Sequence, residues 1–265
     1  FLNLEINEEF LPSIRLILRI VAICGLEDGA DGTNIRPHKS IGQAVTATST
    51  PLGIITNIFV AKGENNENNV TVDNKLIELA GDEGVIIKAG VGGDHPQTVF
   101  YVTNGSLLIR DITIIGSEDH SNTTLFELYG IERQIQIISC NINSYNAITI
   151  QQLPMIKVVV GKSIYISQSH FTGGVFSDTA ATEIENRISE LIIDQSTFSN
   201  NYYDFENKRD GIILDDNLGT KRRIFIKDSQ FTGPLDEDDS QMHVQNNNDD
   251  NQICNQGSLS IYVTR

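Results

Sequence analysis

Five gapless copies of one eight-residue frame constrain this chain more than any other feature: Leu107 to Ile114 (LLIRDITI), Ile135 to Ile142 (IQIISCNI), Ile164 to Phe171 (IYISQSHF), Leu191 to Phe198 (LIIDQSTF) and Ile224 to Phe231 (IFIKDSQF). A sixth copy is expected to begin at Leu259 (LSIYVTR). In the five complete copies position 1 is Leu or Ile, position 3 is always Ile, position 6 is Ile, Cys or Ser, and position 8 is Ile or Phe. The six starts are separated by 28, 29, 27, 33 and 35 residues. A fixed motif with a drifting spacer is the mark of a solenoid whose loops vary from coil to coil.

The frame carries its own geometry. Side chains alternate along a strand, so positions 1 and 3 share a face and positions 6 and 8 share a face. The step of three between the pairs would send the second pair to the opposite side of a straight strand. The chain must therefore bend, and the expected corners are Arg110-Asp111, Ile138-Ser139, Ser167-Gln168, Asp194-Gln195 and Lys227-Asp228, which are mostly polar. A third strand is expected in the spacer, at Thr124 to Tyr129 (TLFELY), Ala147 to Gln151 (AITIQ), Gly211 to Asp215 (GIILD) and Met242 to Gln245 (MHVQ). Glycine turns at Asn104-Gly105-Ser106, Gly161-Lys162-Ser163 and Gln256-Gly257-Ser258 would lead into the frame. The fold class is all-β, a single-stranded parallel β-helix.

Upstream, Ile41, Ala44, Val45 and Ala47 fall on one helical stripe, short enough to close the open end of such a rod. Ile14 to Ile23 (IRLILRIVAI) is interrupted by Arg15 and Arg19 and is about half the length of a bilayer span, so it reads as a buried strand. Residues 1–19 are expected to be an extension or the end of a preceding segment, and residues 20–265 the β-helix. Its last copy of the frame stops part-way, so the rod is expected to be truncated at its C-terminal end. Phe1 in place of Met, with no signal-peptide pattern, points to a fragment or a processed chain.

The segments Asn104 to Ile114, Gly161 to Phe171, Leu191 to Phe198 and Ile224 to Phe231 resemble the repeats of the pectin-lyase-like right-handed parallel β-helix superfamily, closest in style to repeat-bearing cell-surface proteins of microbes and protists. Residues 28–45 and 58–90 resemble the start of such helices, where a Pro-(Phe/Tyr/Cys)-Lys-Thr-Ile motif opens a short capping helix. Here the motif is Pro37-His38-Lys39-Ser40-Ile41, with His38 at the usually aromatic or Cys position. The resemblance spans residues 20–265. It implies a right-handed parallel β-helix with a short N-terminal capping helix, and no single function.

Charge narrows the partners. With 19 Lys+Arg against 35 Asp+Glu, the chain carries a formal charge of −16, and its basic residues are scattered, which excludes nucleic acid and anionic membrane surfaces. The cysteines Cys24, Cys140 and Cys254 and the histidines His38, His95, His120, His170 and His243 show no zinc-ligand spacing. No cofactor and no metal site is expected. The acidic stretch 236–250 lacks the order of a calcium loop and reads as a solvated loop.

Enzymes of the resembled superfamily carry carboxylates and basic residues on the outer face of one sheet, beside long loops. A polysaccharide hydrolase of that kind would show Asn-x-Asp, Asp-Asp, Gly-His-Gly and Arg-x-Lys on successive coils, and only Asp215-Asp216 is present. No catalytic residue is therefore expected. Asp210, Asp215, Asp216, Lys221 and Arg223 form the candidate carbohydrate-binding cluster, although acidic pairs beside basic residues are also ordinary solvated surface. Cys140, at an inward position, reads as a small core filler, and His170 as a surface residue. Asn69, Asn104 and Asn122 begin Asn-x-Ser/Thr sequons and are candidate glycosylation sites. The expected function is a non-catalytic extracellular or cell-surface module for adhesion or recognition, with glycans or host and cell-surface proteins as partners. The alternative is a polysaccharide lyase, a glycoside hydrolase or a carbohydrate-binding module. A plain spacer between domains fits the same sequence.

Overall fold

The computed structural model describes residues 17–21, 29–33, 35–48, 54–89, 97–116, 123–130, 133–143, 155–172, 182–199, 212–215, 222–232, 242–245 and 259–264. Strand β1 (Ile17–Val21) and helix α1 (Ile41–Thr46) come first, followed by β2 (Ile55–Val60) and β3 (Gly63–Glu67). Three coils then repeat one order of strands: β4 (Val70–Asp73), β5 (Leu76–Gly81) and β6 (Val85–Ala89); β7 (Gln97–Thr103), β8 (Ser106–Arg110) and β9 (Thr113–Ile115); β10 (Thr123–Tyr129), β11 (Gln134–Ile138) and β12 (Asn141–Asn143). In the next two coils the first two strands fuse, giving β13 (Ile156–Ser167) with β14 (His170–Thr172) and β15 (Thr182–Asp194) with β16 (Thr197–Ser199). They separate again in β17 (Ile212–Asp215), β18 (Arg222–Lys227) and β19 (Gln230–Thr232), and β20 (Met242–Gln245) and β21 (Leu259–Thr264) complete the described strands.

Every ladder between these strands is parallel, with partners one coil apart in sequence, so the chain is a parallel β-helix as the frame predicts. Its three faces run along the rod. Face one holds β4, β7, β10, β13, β15, β17 and β20. Face two runs from β1 through β2, β5, β8, β11, β13, β15 and β18 to β21, and face three is a seven-stranded sheet from β3 to β19.

The inward columns are continuous. Ile58, Leu79, Ile109, Ile137, Ile166 and Ile193 are all fully buried at frame position 3, and Ile114, Ile142, Phe171 and Phe198 are buried at position 8. The Phe171 and Phe198 rings stack with centroids 4.8 Å apart and planes 8° apart, matching the rung spacing. Each such side chain is worth on the order of 1.5–3 kcal/mol when fully buried. Under the cap the interior turns polar: Thr56, Asn65 and Glu67 are buried. Helix α1 packs on β1, β2 and β4. Ser40 caps it by accepting from the Gln43 N–H, and the buried Glu67 carboxylate accepts from the Ile41 and Gly42 N–H groups at 2.5 and 3.2 Å. Lys75 closes the other end, its Nζ donating to the Val45 carbonyl at 2.6 Å.

Four details differ from the expectations. The corner is one residue, not two: position 4 still belongs to the strand, and Asp111, Ser139, Gln168, Gln195 and Asp228 at position 5 turn the chain with φ between 46° and 59°. A single left-handed residue reverses the alternation, so positions 6 and 8 face the same core as 1 and 3. Gly161 is not a turn but lies inside β13, where a Cβ would meet Leu128 Cδ2 at 2.5 Å. The face-one strand of that coil accordingly starts at Ile156; Ala147 to Gln151 lies outside the described residues. The last copy of the frame is shifted by two, since Ile224 pairs with Ile261 rather than Leu259. A shift of two preserves the alternation, so the pattern alone does not distinguish these registers. Finally, Ile41, Ala44 and Val45 are buried as the helical stripe requires, whereas Ala47 is exposed and Thr48 is buried in its place.

Candidate functional site

The two long-range variables of the rod, loop length and outer-face chemistry, meet on face one. Faces two and three are joined through the corner by two residues in each coil from β8 to β19, whereas the segments entering face one run from seven residues (116–122) to twelve (144–155 and 200–211). Face one is thus the sheet flanked by variable chain.

Its inward positions Val70, Val72, Phe100, Val102, Phe126 and Leu128 are buried, so the residues between them face outward. Thr71, Tyr101, Glu127 and Lys157 stand in one register row across four strands, and Asp73, Thr103 and Tyr129 stand in the next. Tyr129 is 52% exposed, an unusual value for a large aromatic side chain in this rod. Thr98 Oγ1 donates to Glu127 Oε2 at 3.3 Å, and Asp73 Oδ1 accepts from Thr103 Oγ1 at 3.2 Å and from Asn104 Nδ2 at 3.4 Å. Burial raises the Tyr101 pKa, helped by the negative charge of Glu127 and by Tyr129, so its phenol remains a hydrogen-bond donor. Two tyrosines on adjacent rungs, an acidic acceptor and several hydroxyl and amide groups suit stacking and hydrogen bonding to a polyhydroxyl ligand.

Of the cluster expected from the sequence, Asp215 ends β17 on face one, paired with Gln245, and Arg223 lies in β18 on face two, paired with Glu190 and Ser260. Asp215 is four strands along the axis from Tyr101, roughly 19 Å at the usual spacing. Asp210, Asp216 and Lys221 lie outside the described residues, as does most of the 236–250 stretch. Asn69 is exposed in a left-handed turn, φ 54°, with exposed Thr71 two residues on. Asn104 is exposed, but its sequon partner Ser106 is only 5% exposed within β8. Asn122 lies outside the described residues. Cys140 is 3% exposed, and burial pushes its thiol up to about 11, which fits a core filler and not a nucleophile. His170 is exposed between Thr172 and Thr197.

No family model matches this sequence, and no curated protein sequence matches it. Among solved structures, a protein described as rhamnogalacturonan lyase aligns over 87% of this chain at 12% identity, with a TM-score of 0.46. This chain spans 66% of that protein's length. The likeness is one of architecture, and no residue role is carried over from it.

Tyr101 and Glu127 had no place in the cluster expected from the sequence. The signal lies in TLFELY, which reads as a strand from the sequence and carries Glu127 and Tyr129 at its outward positions.

Proposed function

We propose that this chain is a non-catalytic recognition module of an extracellular or cell-surface protein and that face one holds a glycan. The observation that carries this reading is the outward set Tyr101, Glu127 and Tyr129 on two neighbouring rungs, flanked by the variable segments. Tyrosine offers an apolar ring to the C–H face of a sugar and a hydroxyl to its substituents, at little cost in side-chain entropy. The net charge of −16 argues for a neutral or cationic ligand. An extracellular setting is supported by the exposed Asn69 sequon. If the reading is right, a glycan array probed with the protein gives hits that Tyr101→Ala/Tyr129→Ala abolishes, and incubation with plant and microbial polysaccharides releases no reducing ends or unsaturated products. Turnover that disappears in Glu127→Gln would replace this reading with the polysaccharide-active enzyme.

A further inference from the structure

We infer that the outer surface of face three, from β9 to β16, is a second binding surface, separate from face one, for a neutral polysaccharide lying along the rod axis. The register sets its residues in two ranks. Thr113, Asn141, His170 and Thr197 form one; Ile115, Asn143 and Thr172 form the other. None of these seven positions carries Asp, Glu, Lys or Arg, in a chain with 35 acidic and 19 basic residues.

The neutrality extends round the corner. Ser139 Oγ donates to Gln168 Oε1 at 3.2 Å, and Gln168 Nε2 donates to Gln195 Oε1 at 3.4 Å, an uncharged ladder beside the ranks. It is bounded by Asp111 and Asp228 at the same corner position of the coils on either side. At the capped end, charge returns to face three as Lys88 and Glu64, which neutralise each other at 2.9 Å. Beneath the ranks, Ile114, Ile142, Phe171 and Phe198 are fully buried, so the surface stands on a packed core. His170 is held in place on it, one ring nitrogen against Thr197 Oγ1 and the other 2.8 Å from Thr172 Oγ1.

These features specify the ligand. Hydroxyl, amide and imidazole groups repeat along the axis at the strand spacing of about 4.8 Å, which suits a partner that itself repeats. An anionic polymer is opposed by the charge of the whole chain, and a cationic one finds no carboxylate within the ranks. A neutral chain of sugars exchanges hydrogen bonds with such a surface without desolvating any ion.

The test is retention in affinity gels cast with β-glucan, mannan or polygalacturonate, comparing the parent protein with Asn141→Glu, Asn141→Ala and Tyr101→Ala/Tyr129→Ala. The expected result is retardation by at least one neutral polymer and not by polygalacturonate. Asn141→Glu should weaken it tenfold or more and Asn141→Ala less, and both losses should persist when each is added to the face-one variant, in which any retention through Tyr101 and Tyr129 is already removed. Retention only by polygalacturonate, no retention by a neutral polymer, or equal retention of the parent and Asn141→Glu would overturn the inference. So would loss confined to the face-one variant, which would assign the binding to face one. A cooperative melt of each variant at the parent temperature certifies that the fold survives. Should Asn141→Glu fail that check, Asn141→Ala and Thr113→Ala decide by the same comparison.

Discussion

The backbone N–H of Cys140 donates to Ser169 Oγ at 3.1 Å, across the gap between two coils. The contact repeats along the rod: the Ser169 N–H donates to Ser196 Oγ at 3.2 Å and the Ser196 N–H to Ser229 Oγ at 3.1 Å. Each hydroxyl passes its own proton to the carbonyl two residues back, Ser167, Asp194 or Lys227, at 2.7 to 2.8 Å. The Cys140 thiol does likewise toward Ile138 at 3.2 Å. Frame position 6 is thus a hydrogen-bonded column that satisfies the backbone where the sheet ladder is interrupted at the corner.

Breaking one link of that column strands a buried donor. Ser196→Ala leaves the Ser169 N–H without its acceptor and should cost about 1–3 kcal/mol. Chemical denaturation read by circular dichroism measures it. Ser196→Cys, which mimics Cys140, should cost less; equal losses for both would contradict the column.

Cys140 should be chemically silent in the folded state. Its pKa of about 11 leaves the thiol protonated at pH 8, and burial denies access to reagents. In a background with Cys24→Ser and Cys254→Ser, a thiol-specific disulfide reagent should label Cys140 only at the rate of unfolding. Fast labelling without denaturant would show that the residue lies outside the core.

The cap carries a pH dependence of defined sign. Burial raises the folded-state pKa of Glu67 above its ordinary 4.5, against the two N–H groups that lower it. The folded state therefore holds this proton to a higher pH than the unfolded chain, and the associated stability is complete below the unfolded pKa and lost as pH rises through the raised value. The melting temperature of the parent minus that of Glu67→Gln should fall across that window. A difference that stays flat, or rises with pH, would reverse the assignment.

The left-handed corner makes its own demand on sequence. Gln168 sits at φ 49°, a conformation that β-branched residues resist. Gln168→Val should destabilise the protein by more than Gln168→Asn, by about 1–2 kcal/mol, in the same denaturation assay. Equal stability of the two variants would place the bend elsewhere.

These relationships explain what was legible in the sequence. From Leu107 onward one residue turns every corner between faces two and three, so the spacing from Ile109 to Ile114 recurs without gaps from coil to coil. In the earlier coils the same two inward columns lie farther apart in sequence, seven residues from Ile58 to Asn65 and eight from Leu79 to Ile87 against five from Ile109 to Ile114, so these coils escape the frame. Gly161 was misleading because a glycine serves a close approach inside a strand as readily as a turn. The outer faces were the least legible part. Asp215-Asp216 draws attention as neighbours in sequence, whereas Tyr101 and Glu127 are 26 residues apart and become neighbours only when one coil stacks on the next.

The recognition role of face one is tested most directly by amide shift mapping, using the isotope-labelled protein titrated with an oligosaccharide selected from the array. The predicted result is that shifts grow with ligand around Tyr101, Glu127 and Tyr129 and spread to Thr71 and Lys157, while amides beside Ile137, Ile166 and Ile193 stay in place. Shifts centred anywhere else on the rod, or a spectrum that no glycan changes, would contradict it.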